Sequence, residues 1–239
     1  MIDPEIHTKG PPQRLPPPRF EFPDARLADG NGLVGYGADF APETIISAYV
    51  RGIFPWPHDD AEMLWFSPDP RGILPVGGLH VSRRLRRTIR SGKFRVTLDA
   101  AFERVMLGCA GRSEGTWISP GLIRGYAQLH ELGWAHSFDV WTTDGELAGG
   151  LYGVALGSMF GAESMFSRVT DASKVAMVAM MEHAERIGVT LIDIQVLTEH
   201  TERMGGIEIP RDEYLRRLRE ALEREVDWRG QLRAGAPGA

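Results

Sequence analysis

The sequence predicts a mixed α/β fold, in which strands and helices share one mixed sheet, and three observations predict it. A helical pattern from about Ala172 to Arg186, stopped by Gly188, leads through a short link into "LIDIQV" (191–196), a strand by its β-branched content. Strand, helix, strand with a short link is a crossover unit, and a strand entered that way tends to be interior and covered on both faces. Upstream, "AHSFDVWTTDGELAGGLYGVALGSMFGAESMFS" (135–167) reads as several strands separated by turn signals, with Asp144-Gly145 a hairpin-type dipeptide. Amphipathic helical segments lie before and after these strands.

Taken in order, residues 1–20, with "PPQRLPPPRF", are proline-rich and aperiodic and are expected to form a mobile lead-in. Residues 21–70 are expected to form a small N-terminal domain, with a helix from Pro42 to Arg51 that starts near Asp39 or Ala41 and ends at Gly52. "FSPDPRGILPVGG" (66–78) is dense in proline and glycine and reads as the join to a larger domain over 71–230, followed by a flexible tail at 231–239. Next, Ser82 is a plausible N-cap and Gly92 a C′ residue for a short helix whose buried stripe is Leu85 and Ile89. "VTLDAAFERVMLGCA" gives a strand and then a helix with Phe102, Val105 and Cys109 at helical spacing, so Cys109 reads as a small core residue. A helix ends at Gly133, and the last element, "PRDEYLRRLREALEREV", is amphipathic with Leu215, Leu218 and Leu222 inward.

Bulk properties narrow the function classes. The chain has 239 residues, 43% hydrophobic and 25% charged, with one cysteine and no apolar run of spanning length. No membrane span, secretory signal or disulfide framework is expected, and the cytoplasm is the expected compartment. A net charge of −5 and a pI near 5.8 argue against coating nucleic acid through bulk positive charge. Local charge differs. No acidic residue occurs from Pro70 to Leu98, while Arg83, Arg84, Arg86, Arg87, Arg90, Lys93 and Arg95 crowd together. A solvated helix face is the ordinary explanation; acid-free clustering of this density favours a phosphate-backbone site.

Within "LIDIQV", Asp193 and Gln195 share one strand face roughly 6.5–7 Å apart. A half-exposed strand would explain them, but an interior strand must give its polar groups partners, and at a sheet opening the partner can be a substrate. The histidines are scattered and there is no HExxH, CxxC, P-loop, GxGxxG or GxSxG, so no metal or nucleotide cofactor is expected. The mixed element order suggests the N-acetyltransferase-like acyltransferase fold. Where such enzymes carry a glycine-bearing pyrophosphate loop this chain has "SRVTDASK", which points away from coenzyme A as donor.

"AYVRGIFPW", "LWFSPDPR", "LHVSRRLRR", "TWI", "AHSFDVW", "GGLYGVALGSMFGAESMFS", "DASK" and "LIDIQ" resemble, in order and spacing, the leucyl/phenylalanyl-tRNA–protein transferases, from about Phe20 to Trp228. The resemblance implies a small N-terminal domain followed by an acyltransferase domain of the N-acetyltransferase (GNAT) type. It implies transfer of Leu or Phe from aminoacyl-tRNA to the N-terminal Lys or Arg of a protein, marking that protein for degradation. By the same resemblance Asp193 and Gln195 match the catalytic pair, facing the reacting ester and amine, and Glu163 the motif glutamate beside them. Trp56 and Trp117 match the aromatics that hold the terminal adenosine of the tRNA, with Tyr49 close by. Leu151, Met159, Phe160, Met165 and Met177 are candidates for the aminoacyl side-chain pocket, although methionine in such positions is more often plain core. Arg83, Arg84, Arg86, Arg87 and Arg90 would grip acceptor-stem phosphates without reading sequence.

The chemistry fits the absent motifs, since an aminoacyl ester is already activated and asks for no cofactor. Phe66, Phe138-Asp139 and "RMGG" (203–206) depart from the usual pattern and bear on donor preference among Leu, Phe and Met. Two rivals stand beside this expectation: another acyltransferase on the same fold, using coenzyme A or building cell-wall peptide, and a non-enzymatic RNA-binding module. A monomer is expected, since no heptad or exposed hydrophobic repeat demands a partner.

Overall fold

The structure, a computed structural model, describes residues 4–56, 63–111 and 118–228. Its eleven strands and seven α-helices follow chain order as β1 (Glu5–Ile6), β2 (Leu33–Tyr36), α1 (Pro42–Tyr49), β3 (Phe54–Pro55), β4 (Leu64–Phe66), β5 (Arg71–Leu74), α2 (Arg83–Arg90), β6 (Phe94–Leu98), α3 (Phe102–Ala110), α4 (Pro120–Glu131), β7 (Ala135–Thr142), β8 (Leu147–Leu156), β9 (Met159–Ser167), α5 (Ala172–Ile187), β10 (Leu191–Gln195), α6 (Glu199–Arg203), β11 (Ile207–Ile209) and α7 (Arg211–Leu222). Eight strands form one sheet in the order β1-β6-β7-β8-β9-β10-β5-β11, and β2-β4-β3 form a small antiparallel sheet. Among the described residues of the large sheet, β1/β6 and β9/β10 pair in parallel and the other neighbours antiparallel, the second parallel pair joined through α5 as the crossover spacing predicts.

Helix ends sit where the punctuation places them. Ser82 accepts the Leu85 amide at the start of α2, and Gly92 after it takes φ +70°. Gly133 and Gly188 likewise take left-handed φ just beyond α4 and α5. α3 and α5 pack on opposite faces of β8, every residue of which is buried. Gly149 and Gly150 let them come that close: an added Cβ would stand 2.7 Å from the Ala172 Cβ at Gly149, and 2.9 Å from Val105 Cγ2 at Gly150. On the α3 face one continuous apolar cluster takes in α1, the small sheet, α4 and α7; on the α5 face a second takes in Leu85 of α2 and Trp228.

Two segments differ from expectation. The stretch expected to be a mobile lead-in is seated in part: Glu5 and Ile6 pair with Thr97 and Leu98, the Gln13 amide donates to Leu132 O, and Trp134 Nε1 donates to Gln13 O. Backbone pairing, which proline density hides, holds it. "RGIL", expected to be part of a connector, is β5, an interior strand between β10 and β11 with all four residues buried. The tail expected at 231–239 lies outside the described residues.

Candidate active site

The site forms where two parallel strands part. β9 and β10 pair through Leu191/Met159, Ile192/Phe160 and Asp193/Gly161, and no further. Beyond Asp193 the β10 chain also slips its register against β5. Gln195 takes φ +58°, and the Val196 amide donates to Ile194 O at 2.6 Å, closing a three-residue turn. For a non-glycine residue such a backbone costs about 1–3 kcal/mol and persists only where its surroundings hold it. Gly72 of β5 makes room for the turn, since a Cβ there would lie 2.8 Å from the Leu197 nitrogen.

The parting strands open a cavity of about 950 Å³, within the range of small-molecule sites. Leu74, Leu151, Met165, Met177 and Met180 are among its apolar lining residues, and Glu163, Gln195, Thr198, His200 and Arg168 among its polar ones. Among its lining residues Glu163 alone is acidic. Gln195 Nε2 donates to Glu163 Oε1 at 2.7 Å, and the Tyr126 hydroxyl donates to Oε2 at 3.2 Å. Tyr126 and Tyr49 share a 2.9 Å hydroxyl contact behind the carboxyl. Burial pushes the Glu163 pKa up to about 8, with the Asp193 charge adding to the rise and the Tyr49 and Tyr126 hydrogen bonds and Arg71 opposing it.

Asp193 differs from expectation. Its side chain does not face the cavity. Fully buried, its Oδ1 accepts Arg71 Nε at 2.8 Å and the Gln195 amide at 2.9 Å, while its Oδ2 accepts Arg71 Nη2 at 2.6 Å and the Tyr214 hydroxyl at 2.8 Å. All of its strong acceptor positions are taken by protein. The Arg71 guanidinium is as fully enclosed, 4.7 Å from the Phe54 ring centroid and 4.3 Å from that of Tyr214, with Nη1 donating to Gly52 O at 3.0 Å. Burial is the largest influence and disfavours its charge, but Asp193, Tyr214 and Tyr49 together outweigh it and the net pKa shift is upward.

The remaining sequence-predicted residues divide. Leu151, Met165 and Met177 line the cavity; Met159 and Phe160 do not, because both are fully buried core, with Phe160 packed 6.4 Å from Phe138 and 5.0 Å from Trp228. Tyr49, expected beside a stacked base, is 1% exposed with its hydroxyl on Tyr126, so its ring offers no open face for stacking. Trp56 is partly buried against Phe54 and Phe66 at 6.3 and 5.8 Å between ring centroids. Trp117 lies outside the described residues. Arg83, Arg84, Arg86, Arg87 and Arg90 are all exposed on α2, with Arg84 3.8 Å from Asp171. Reading the sequence missed Arg71, Tyr126 and Tyr214. The one available signal was an arginine among the apolar residues of "RGIL", obscured by its proline and glycine neighbours.

Known proteins resemble this chain over most of its length. A family model described as leucyl/phenylalanyl-tRNA protein transferase matches residues 73–219, and one for the N-terminal domain of the same proteins matches residues 38–69. A leucyl/phenylalanyl-tRNA–protein transferase of Anaeromyxobacter sp. (strain Fw109-5) is 54% identical over 213 residues, covering 87% of this chain and 90% of that protein. The proteins of the same name from Edwardsiella ictaluri and Escherichia coli O81 are 50% and 48% identical over 200 residues, each covering 83% of this chain and 82% and 85% of their own lengths. A solved structure titled as that of L-PGS from Bacillus licheniformis aligns with a TM-score of 0.37 and 13% identity over 62% of this chain and 49% of that one, too slight a likeness to bear on fold or function. With most of its length matched at about half identity, the chain belongs to the leucyl/phenylalanyl-tRNA protein transferase family.

Proposed function

We propose that the protein moves leucine or phenylalanine from an aminoacyl-tRNA onto the N-terminal amine of acceptor proteins that begin with Lys or Arg. The observation that carries this reading is a cavity lined both by apolar side chains suited to an aliphatic or aromatic group and by the hydrogen-bonded pair Glu163 and Gln195. In the reaction the amine nitrogen bonds to the ester carbonyl carbon, and the bond from that carbon to the ribose oxygen breaks. The proton lost by the amine passes through Glu163 and ends on the ribose oxygen. A carboxyl with its pKa near 8 is matched to an α-amine of about 7.7–8.0, so the exchange costs little. Gln195, donating through Nε2, keeps Oε1 free to accept from the amine. Asp193 acts on the site indirectly, through the Gln195 amide.

Trp56 supplies an indole for the terminal base, and the exposed arginines of α2 meet acceptor-stem phosphates. Among the described residues no helix is long and apolar enough to cross a membrane. We place the reaction in the cytoplasm, where charged tRNA is found, with the protein acting as a monomer. The test is transfer of radiolabelled leucine from leucyl-tRNA to a peptide beginning with Arg and to one beginning with Ala. Label on the Arg peptide alone is expected; no label on either, with tRNA still bound, would leave an RNA-binding module, and turnover from a coenzyme-A thioester without tRNA would favour the other acyltransferase.

A further inference from the structure

Arg71 lines no part of the cavity, yet it contacts Asp193, which holds the lining residue Gln195. Its Nε and Nη2 hold the two oxygens of Asp193 in a fork, and the same Oδ1 that accepts Nε also accepts the Gln195 amide. That amide belongs to the residue at φ +58°, whose side chain reaches Glu163 Oε1. With the carboxylate anchored, the amide is held in the turn; were it released, β10 would be free to run on extended, and successive side chains of an extended strand point to opposite faces. The Gln195 side-chain nitrogen, Nε2, would then leave Glu163.

We infer that Arg71 is a positioning residue for transfer, holding Asp193 so that its carboxylate fixes the Gln195 turn and thereby the Gln195–Glu163 pair. This rests on the reading of Gln195 and Glu163 as the groups that hold the reacting amine and ester. Lysine cannot replace it, since one ammonium cannot present the planar fork that grips both Asp193 oxygens while also reaching Gly52 O. The guanidinium is also where the small N-terminal unit (Gly52, Phe54), the large sheet and α7 (Tyr214) meet, so the set of the site depends on all three.

The experiment is a kinetic cycle with leucyl-tRNA and an Arg-peptide, using Arg71→Lys, Gln195→Ala and the double variant, with Tm measured on each. Arg71→Lys is expected to lower kcat about 100-fold, the scale of a small misplacement of reacting groups, with KM for leucyl-tRNA within about twofold of wild type. In the Gln195→Ala background the same change should lower kcat no further while lowering Tm as much as it does alone. A purely structural arginine would give kcat losses that multiply, and that result overturns the inference. Should Arg71→Lys fail to fold, Tyr214→Phe removes one hydrogen bond from Asp193 and keeps the ring beside the guanidinium; its smaller kcat loss must also vanish with Gln195→Ala, or the inference falls. Full activity in Gln195→Ala alone would fault the underlying reading of the site, and the inference with it.

Discussion

Two carboxylates flank the parting of β9 and β10, and their surroundings give them opposite characters. Asp193 is enclosed with a guanidinium that forks both oxygens, so it is fixed in place inside the protein. Glu163 meets neutral donors, Gln195, Tyr126 and Tyr49, and faces the cavity, so burial lifts its pKa to about 8 and leaves its proton exchangeable near neutrality. The difference teaches that the partner, not the residue type, decides which acid is scaffold and which handles protons.

The largest expected effect comes from breaking the buried pair. Arg71→Met alone should cost about 3–5 kcal/mol in urea unfolding, because it strands a buried carboxylate, and Arg71→Met with Asp193→Leu should recover most of that loss. Transfer should stay low in the double variant; recovered stability together with recovered transfer would erase the distinction between the two acids. Next, Glu163→Gln should slow transfer by about 100-fold or more, the lower end of the proton-transfer contribution, with leucyl-tRNA binding intact. An unchanged rate at pH 7 would remove Glu163 from the proton path.

The pH dependence of stability sharpens the contrast at smaller scale. A carboxyl at its ordinary 4.5 in the unfolded chain and about 8 in the fold binds more protons when folded between those values, so its stabilising effect is full below about 4.5 and is lost as pH rises to 8. The Tm of wild type minus that of Glu163→Gln should therefore fall across this window and level off above it. A flat difference would show a carboxyl no different from an exposed one. Smallest is Tyr126→Phe: its hydroxyl lowers the Glu163 pKa, so removing it should move the Tm window upward, with about 0.5–1.5 kcal/mol lost from the hydrogen bond.

How much of this was legible follows from what local patterns encode. Helix limits at Ser82, Gly92, Gly133 and Gly188 were readable because caps and left-handed glycines act within a turn. The crossover into β10 was readable from spacing, but the shared face that alternation predicts for Asp193 and Gln195 does not form, because the chain turns at Gln195. Neither side chain's direction was readable: Asp193 finds a partner 122 residues away in Arg71, and Gln195 leaves extended geometry without a glycine to mark it. β5 escaped because proline and glycine crowd a four-residue strand that long-range pairing creates. Tyr49 looked like a base-stacking aromatic beside "IFPW", but α1 turns it into the core.

The two margins of the large sheet have a consequence of their own. They are closed by strands of two and three residues, β1 and β11, so β6 and β5 are each covered before they can offer a long row of open amides and carbonyls. Such rows template the addition of strands from other chains. By pairing Glu5 and Ile6 with β6, the chain covers that margin, and a truncation that removes them should leave a protein that aggregates more readily on concentration.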